Sequence, residues 1–261
     1  RKTNGRPLSV TIVGSGFAGC AVARALAGRS HNVTVLDRSI AAGASGGPAA
    51  VFYPALARES TASGRWTLLG SLFLASLFSQ DENIGLKQDL GGVIVLGDEP
   101  AAVLSPPEMG RPVSAEEAGA IAGIPLTRPG FFFQHGGWVH GSSWCSSQLR
   151  HPGIRFLPGT VQHIERKGDH WIVRGETGEI LAESELLVIA AGESLLKFVQ
   201  TAWIPISRIH GRMIHHTALP RPKVVVFGDT TLAALDDGSA PLGSTFEKEK
   251  ARLSDDEAVA A

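Results

Sequence analysis

The stretch SVTIVGSGFAGCAVARALA, from Ser9 to Ala27, predicts a strand, a glycine turn and a helix. Val10, Ile12 and Val13 form the short β-branched run that is typical of a buried parallel strand. The small residues that follow Gly19 are suited to a helix that packs closely on that strand. We therefore expect the ordered part of the chain to begin with a β–turn–α unit.

The predicted turn has the pattern G-x-G-x-x-G. In such a turn the first glycine permits the sharp bend, the second lets the backbone approach a pyrophosphate, and the third lets the helix pack on the strand. The N-terminus of the helix directs backbone N–H groups and a partial positive charge at the phosphates. The pattern predicts a dinucleotide site formed by Gly14, Ser15, Gly16, Phe17, Ala18 and Gly19.

A second predicted strand, NVTVLDR from Asn32 to Arg38, contains Asp37 close to its end. An acidic residue about 20 residues beyond the turn binds a ribose hydroxyl in dinucleotide-binding folds, and its charge disfavours the 2′-phosphate of NADP. A tight β–turn–α unit without a ligand is the alternative interpretation. The glycine pattern by itself does not distinguish NAD from FAD.

Two later stretches favour FAD. A loop of small residues follows Asp37 and contains Ser45, Gly46 and Gly47, whose backbone amides could approach an anion or a ring system. Much further along, LLVIAAGESL predicts a buried strand that ends in Ala191 and Gly192. This strand end is similar to the one that closes over the cofactor in flavoproteins of the two-dinucleotide-binding type.

Different elements separate these nucleotide-binding stretches. We expect a short strand, a helix with a capping box formed by Ser114 and Glu117, an aromatic hairpin, a helix that begins at a serine cap, and three successive strands. These lie respectively at 91–97, 113–123, 130–140, 141–150 and 154–175. Further strands of a second sheet are predicted at 204–216 and 223–229.

The predicted fold class is α/β, with a Rossmann-like FAD-binding domain interleaved with an α+β substrate domain that contains a mixed antiparallel sheet. We assign residues 1–85 and 151–200 to the discontinuous FAD-binding domain, and residues 86–150 and 201–250 to the substrate domain. Residues 251–261 are predicted to form a polar tail.

Composition excludes several classes of protein. The net charge of −1 provides no overall basic field for nucleic acid. Cys20 and Cys145 have no metal-type spacing and form no disulfide framework, so we expect a reducing, cytoplasmic setting and no metal site. No signal peptide is recognised. The apolar run from Trp66 to Phe78 is too short to span a bilayer and predicts a buried helix rather than a membrane partner.

Taken together, these motifs resemble the D-amino-acid-oxidase/glycine-oxidase-like FAD family. Within it, the chain is most similar to the oxidoreductase module of bifunctional bacterial tRNA-modifying enzymes. The matching stretches occur in the family's order and cover most of the chain: the glycine turn with Asp37, GASGG followed by YPALA, HGGWVHGSSWC, FLPGTVQHIERKGDHW, LLVIAAG and GSTFE.

The resemblance implies FAD as the cofactor, and no catalytic residue is assigned. It implies oxidation of the carboxymethylaminomethyl group on a tRNA wobble uridine to an aminomethyl group, with tRNA as one partner and a methyltransferase that acts on the product as another. The oligomeric state stays open. The cofactor-binding residues expected from the motifs and the resemblance are Gly14, Ser15, Gly16, Phe17, Ala18, Gly19, Asp37, Arg38, Ser45, Gly46, Val161, Ala191 and Gly192.

The chain also departs from the family pattern. Gly47 stands where the family usually has Asn, and His210-Gly211-Arg212 stands where it usually has R-G-Q. The family module continues beyond the GSTFE stretch, so the chain is expected to be truncated. Two alternatives remain: an oxidase of a small amino acid such as glycine, sarcosine or a D-amino acid, and a truncated, inactive flavoprotein fragment. Arg128, Arg208 and Arg212 are candidates for binding a substrate carboxylate.

Overall fold

A computed structural model of the chain describes residues 5–54, 61–80, 88–89, 91–97, 109–217, 219–235, 237–243 and 247–248. The predicted domain boundary at 85–86 and the predicted polar tail at 251–261 lie outside these residues. None of the helices in the described ranges combines the length and the apolar character that a membrane crossing needs.

The helices are short except for the second. They are α1 (Phe17–Ala27), α2 (Ala62–Gln80), α3 (Ala115–Ala122) and α4 (Gly141–Gln148). Two stretches of 3-10 helix occur at Ala44–Gly46 and Gly192–Lys197.

The strands are numbered in chain order. They are β1 (Ser9–Val13), β2 (Asn32–Asp37), β3 (Ala50–Phe52), β4 (Gln88–Asp89), β5 (Val93–Leu96), β6 (Arg111–Val113), β7 (Gly130–Phe133), β8 (Gly137–Val139), β9 (Ile154–Pro158), β10 (His163–Lys167), β11 (His170–Arg174), β12 (Ile180–Ser184), β13 (Leu186–Ile189), β14 (Ile209–His210), β15 (Met213–His216), β16 (Val225–Phe227), β17 (Thr231–Leu232), β18 (Ala240–Gly243) and β19 (Glu247–Lys248).

The chain folds into two compact units, each built from two segments. The first unit comprises Arg1–Gly47 and His140–Ser207, and the second comprises Pro48–Val139 and Arg208–Ala261. These bounds differ from the domain limits expected from the sequence. Strand β3 pairs with β8 and not with the parallel sheet, so the chain first passes from the first unit to the second unit near residue 47. Helix α4 packs on α1 and therefore belongs to the first unit.

The first unit is centred on a parallel sheet with the strand order β13-β1-β2-β9. Val10, Ile12, Val33 and Val35 are buried on this sheet, and Ala23 of α1 packs against them. Alanine at this helix position keeps the helix close to the strands. The β–turn–α unit predicted from Ser9 to Ala27 and the strand that ends at Asp37 are therefore confirmed.

An antiparallel meander, β10-β11-β12, completes the first unit. Its buried residues Ile164 and Val173 join Val13, Leu36 and Phe198 in one apolar cluster. The strands predicted at 154–159, 161–168 and 170–175 form as β9, β10 and β11, although the first of them belongs to the parallel sheet.

The second unit contains a sheet with the strand order β15-β18-β17-β16-β5-β7-β6, in which only the β16–β5 pair is parallel. Smaller sheets are formed by β3-β8-β4 and by β14-β19. The core consists of alternating inward-facing residues, which include Val93, Phe131, Phe133, Trp138 and Val225. The mixed antiparallel character expected for this part of the chain is observed.

Helix α3 has the predicted capping box at its start. The Ser114 hydroxyl accepts a hydrogen bond from the backbone N–H of Glu117 at 3.2 Å. Gly123 ends the helix in the left-handed conformation, with φ of +70°. A glycine favours this conformation because it has no Cβ.

The aromatic hairpin predicted at 130–140 is wrong. Strand β7 pairs with β5 and β6, whereas β8 pairs with β3 and β4. Two strands joined by a short turn need not pair with each other when each finds a partner elsewhere. Gly136 makes this change of sheet possible, because a Cβ there would lie only 2.7 Å from the Val93 side chain.

Two further expectations about helices need correction. Helix α2 forms as predicted but is not buried: Trp66, Leu69 and Phe73 are 75%, 60% and 68% exposed. Helix α4 begins with His140 as its N-cap, not a serine, and the His140 Nδ1 accepts from the Ser143 N–H at 3.4 Å. An imidazole nitrogen replaces the hydroxyl oxygen that usually has this role.

At the start of β1, Glu185 holds the strand through an ion pair with Arg6 and through the Ser9 N–H, which donates to Glu185 Oε2 at 3.1 Å. The hydrogen bond from Arg6, followed by that from the Ser9 backbone, lowers the pKa of Glu185 to about 2 from its ordinary value of 4.5. The ionised carboxylate is therefore the stabilising form.

We expect Glu185→Gln to lower the melting temperature at pH 7 because it removes this charge. A carboxyl whose pKa is lowered by folding contributes stability above pH 4.5 and loses it as the pH falls toward 2. The difference in melting temperature between wild type and variant should therefore shrink across that range. Circular dichroism melts at several pH values measure it, with Glu183→Gln, at an exposed position of β12, as the control. A difference that persists unchanged at pH 2 contradicts this assignment.

Candidate cofactor site

The candidate site lies at the carboxyl ends of β13, β1 and β2, the three neighbouring strands of the parallel sheet. Ligands of open α/β sheets bind at this edge, where the loops after the strands converge. The turn 14–19 follows β1, the loop 38–47 follows β2, and residues 190–192 follow β13. All of these belong to the first unit.

The glycines of the turn are required by close backbone contacts. Gly14 has φ of +107°, and a Cβ on it would collide with the carbonyl of Ala190 at the end of β13. A Cβ on Gly19 would collide with the carbonyl oxygen of Gly14. Strand β1, helix α1 and the end of β13 therefore meet at a point that admits no side chain.

Ser15 connects the turn to the end of β2. Its backbone N–H and its hydroxyl both donate to Asp37 Oδ2, at 2.8 and 2.9 Å. The hydroxyl also accepts from the N–H of Ala41 at 3.2 Å. Ala41 has φ of +57°, which is unusual for a residue with a side chain. The fully buried Ser15 thus holds both Asp37 and the strained start of the following loop.

Asp37 has a structural role in addition to its predicted one. Its Oδ2 receives both hydrogen bonds from Ser15, and its Oδ1 accepts from the N–H of Arg38 at 2.7 Å. Asp37 is half-buried, and a carboxylate can accept further hydrogen bonds, so a ribose hydroxyl could donate to it. The side chain of Arg38 is exposed beside it.

Helix α4 supports the loop that faces the turn. The Phe17 N–H donates to the Ser45 hydroxyl at 3.1 Å, which ties the start of α1 to this loop. From α4, the Gly141 N–H donates to the Gly47 carbonyl at 3.1 Å, and the Ser142 hydroxyl donates to the Gly46 carbonyl at 3.4 Å. The loop and the two helix starts therefore form one hydrogen-bonded cradle.

Val161, Ala191 and Gly192, the other predicted site residues, lie around the end of β13. Val161 and Ala191 both pack into the apolar cluster that contains Val13 and Leu36. Gly192 has φ of +54° and begins the 3-10 helix. The structure therefore brings Ala191 next to Gly14, whereas Val161 contributes apolar surface from the loop after β9.

The cradle fits the adenosine diphosphate half of FAD. The N-cap of α1 is Gly16, which has no side chain of its own, and the partial positive charge of the helix N-terminus lies at the turn, where an anion would be favoured. The missing side chain at Gly16 would let a pyrophosphate approach the backbone, and Asp37 would accept from a ribose hydroxyl. The residues that would hold the cofactor are thus those of the turn, Asp37 and the Ser45 loop.

Sequence reasoning missed the supporting roles of Ser15, His140 and Ser142. Ser15 occupied a variable position of the glycine pattern, so its hydroxyl carried no signal. His140 caps its own helix through the N–H of Ser143. Ser142 lies 96 positions beyond Gly46, the loop residue that it supports. Only a long-range contact reveals such a role.

The remaining candidates lie outside the cradle. Arg128, Arg208 and Arg212 belong to the second unit, and Arg128 forms an exposed ion pair with Asp229 at 3.2 Å. His135 is exposed next to Gln134. Within the described ranges, no group of three or more histidine, cysteine or acidic side chains is arranged to hold a metal ion.

Comparison with known proteins defines the class. The family of FAD dependent oxidoreductases matches residues 9–261, and the chain belongs to this family. Its cofactor is accordingly FAD, in agreement with the cradle. The fold is similar to that of two solved structures: glycine oxidase from Geobacillus kaustophilus has a TM-score of 0.75 at 19% identity and L-proline dehydrogenase from P. horikoshii has 0.73 at 14%. The chain covers 75% of each, and 97% and 98% of its own length is matched.

Among curated proteins, the chain is similar to the tRNA 5-methylaminomethyl-2-thiouridine biosynthesis bifunctional protein MnmC. The protein from Paraburkholderia phytofirmans is 33% identical over 256 residues, which cover 90% of this chain. The one from Stutzerimonas stutzeri is 31% identical over 254 residues, which cover 92%. The chain spans about two fifths of the length of these relatives, 39% and 38% respectively.

Alanine substitutions at two glycines of the turn test whether close backbone contacts there are needed for FAD binding and for stability. In Gly16→Ala, the new Cβ would lie 2.8 Å from the Ser45 hydroxyl, which can rotate away but then loses the Phe17 N–H. We expect a folded protein that binds FAD about tenfold more weakly. In Gly19→Ala the Cβ meets backbone, so we expect a melting temperature about 5–10 °C lower.

Gly43→Ala is the matched control, because a Cβ at Gly43 meets no atom within 4 Å. Quenching of FAD fluorescence measures the affinity, and thermal melts measure the stability. If Gly16→Ala and Gly43→Ala bind FAD equally well, the close approach at Gly16 has no part in cofactor binding.

Asp37→Ala removes an acceptor from Ser15 and from the expected ribose. Loss of hydrogen bonds to a charged group costs about 1.5–3 kcal/mol, so the FAD affinity should fall about 10- to 100-fold. Arg38→Ala, whose backbone bond to Asp37 is unaffected, is the comparison variant. Isothermal titration with FAD gives both affinities. If Asp37→Ala loses less FAD affinity than Arg38→Ala, the Asp37 carboxylate does not have the expected role in binding the ribose.

Proposed function

We propose that this chain is the FAD-dependent module that oxidises the carboxymethylaminomethyl group on a tRNA wobble uridine and leaves an aminomethyl group. The observation that carries the proposal is the 31–33% identity with MnmC proteins across 90–92% of this chain. The cradle supports it, because its glycine turn and Asp37 have the pattern that binds the adenosine diphosphate half of a dinucleotide cofactor.

The proposed substrate is an N-substituted glycine, since its side chain ends in –CH2–NH–CH2–COO⁻. When bound, FAD supplies a two-electron acceptor for the carbon–hydrogen bond beside the nitrogen. The CH2 group between the nitrogen and the carboxylate is the one oxidised. Loss of two electrons and two protons from this CH2 and the nitrogen gives an imine, and addition of water then releases glyoxylate and leaves the amine. The protein has to hold the substrate nitrogen and carboxylate in a fixed orientation.

The substrate carboxylate requires a cation, and a guanidinium is best suited because it binds both oxygens. Arg208 and Arg212 flank β14 in the second unit, and both are half-buried. Their partial burial makes a charged contact stronger than on the exposed surface. We propose these two arginines as carboxylate ligands in preference to Arg128, because they lie at or near the His210-Gly211-Arg212 stretch that stands where the family usually has R-G-Q.

A methyltransferase acting on the aminomethyl product is the proposed partner in the reaction sequence, and we propose that the module works in the cytoplasm. The relatives named as bifunctional proteins support the first of these. Glycine itself shares the –NH–CH2–COO⁻ unit, so oxidation of a free small amino acid is the competing function.

The decisive experiment follows the flavin absorbance of the FAD-loaded protein under anaerobic conditions. Addition of tRNA that carries the carboxymethylaminomethyl group should bleach the flavin band and release glyoxylate, whereas unmodified tRNA should not. Glycine, sarcosine and D-alanine serve as small-substrate comparisons. Rapid bleaching by one of these with none by the modified tRNA refutes the tRNA proposal and establishes the amino acid oxidase.

Substitution of the arginines tests the carboxylate contact. Arg208→Lys and Arg212→Lys keep the charge but lose the two-point contact, so each should raise KM for the modified tRNA about tenfold. Arg128→Lys is the control and should leave KM unchanged. If only Arg128→Lys raises KM, then Arg128, and not Arg208 or Arg212, binds the substrate carboxylate.

A further inference from the structure

The two cysteines of the chain lie together under the cofactor cradle, although 125 positions separate Cys20 from Cys145 in the numbering. Cys20 is on α1 and Cys145 is on α4, and these helices pack against each other. Both side chains have 0% exposure. The chemistry proposed above uses neither thiol.

The two thiols interact directly and are not equivalent. Hydrogen bonding with Cys145 raises the pKa of Cys20, and burial raises it further. The same interaction lowers the pKa of Cys145. Cys145 is therefore the thiol that ionises first, while Cys20 remains protonated beside it. A thiolate next to a second thiol is the arrangement from which an intramolecular disulfide forms.

Cys20 is also connected to the glycine turn. Its Sγ–H donates to the carbonyl oxygen of Ser15 at 3.1 Å. Ser15 in turn donates two hydrogen bonds to Asp37. The Cys20 thiol therefore contacts Ser15 directly, and Ser15 holds Asp37, the acid that is expected to bind the ribose.

The start of α4 reaches the other side of the cradle. Trp144, the neighbour of Cys145, packs its ring against Phe17 with the centroids 5.2 Å apart. Gly141 and Ser142 of the same helix donate to the loop that contains Gly46. A covalent bond between α1 and α4 would therefore act on both walls of the cradle.

We propose that Cys20 and Cys145 are a modification site, in which a peroxide converts the two thiols into an intramolecular disulfide that weakens FAD binding at the Gly14–Gly19 turn. The assignment rests on the position of the two thiols between α1 and α4 and on the contact of Cys20 with Ser15. It does not depend on which amine the protein oxidises.

The chemistry balances with hydrogen peroxide as the oxidant. The Cys145 thiolate attacks one peroxide oxygen and breaks the O–O bond, and the leaving hydroxide takes a proton to become water. The resulting sulfenic acid is attacked by the Cys20 sulfur, which loses its proton as a second water leaves. Two thiols and one peroxide give one disulfide and two waters.

Two structural effects follow from the disulfide. The Cys20 sulfur no longer carries a proton, so Ser15 loses its S–H donor. The starts of α1 and α4 are held at a covalent distance, so Phe17 and the Ser45 loop must adjust. Because both thiols are buried, the reaction depends on local opening and is slower than oxidation of an exposed thiol.

Peptide mapping of the full chain is the first test. Peroxide treatment, alkylation of the remaining thiols in denaturant and digestion should give a peptide pair that links Cys20 to Cys145, and dithiothreitol should restore both free thiols. Recovery of two alkylated cysteines, or of sulfinic acid at either position, overturns the proposal. This test uses the wild-type protein alone and needs no folded variant.

The FAD affinity of the same samples is the second test. The oxidised protein should bind FAD about two- to tenfold more weakly than the reduced protein, as expected for the loss of one hydrogen bond and a small shift of the turn. Cys145→Ala, which retains the bond from Cys20 to Ser15, should show no such response to peroxide. Equal affinities for oxidised and reduced wild type overturn the link to the cofactor site.

Reciprocity provides a third readout. If the disulfide weakens FAD binding by a given factor, bound FAD must shift the thiol–disulfide equilibrium toward the thiols by the same factor. Equilibration with mixtures of oxidised and reduced dithiothreitol, with and without FAD, measures this shift. An equilibrium that FAD does not change contradicts the coupling even when the disulfide itself forms.

Discussion

The close approach of α1 to the end of β1 is the constraint on which the first unit depends. The carbonyl of Gly14 lies where a side chain on Gly19 would be, and Gly14 itself lies against the carbonyl of Ala190. These contacts fix α1 relative to β1 and β13 at the same point. Because the helix cannot move away without losing the core around Val10 and Ile12, its N-terminus stays directed at the edge where the strands end.

The hydrogen bonds of Ser15 extend this constraint to β2. They hold Asp37 beside the turn and anchor Ala41 in a backbone conformation that costs free energy. Helix α4 then supports the next loop through Gly141 and Ser142. The result is a site that is organised by backbone and short side chains, in which each element restrains its neighbour. Such preorganisation lowers the cost of ordering the protein when a cofactor binds.

Several expectations from the sequence depended on local chemistry, and these were confirmed. The glycine pattern, the alternation of Val33 and Val35, and the Ser114 cap involve residues that are close in the chain. Others depended on distant partners and failed. The segment 130–140 has the composition of a hairpin, but its strands find other partners. The apolar run in α2 indicates burial, yet Trp66, Leu69 and Phe73 remain exposed.

By itself, the sequence determined the β–turn–α unit, the acid at the end of β2 and the identity of the family. These follow from residue type and spacing, because a sharp turn needs glycine and a buried parallel strand needs β-branched residues. Only the tertiary structure decided that Ser15 holds Asp37, that His140 caps α4, and that Cys20 meets Cys145. Cys20 and Cys145, 125 positions apart, meet because α1 packs on α4, and Ser15 meets Asp37 because β1 and β2 are neighbours in the parallel sheet. No local pattern encodes that packing.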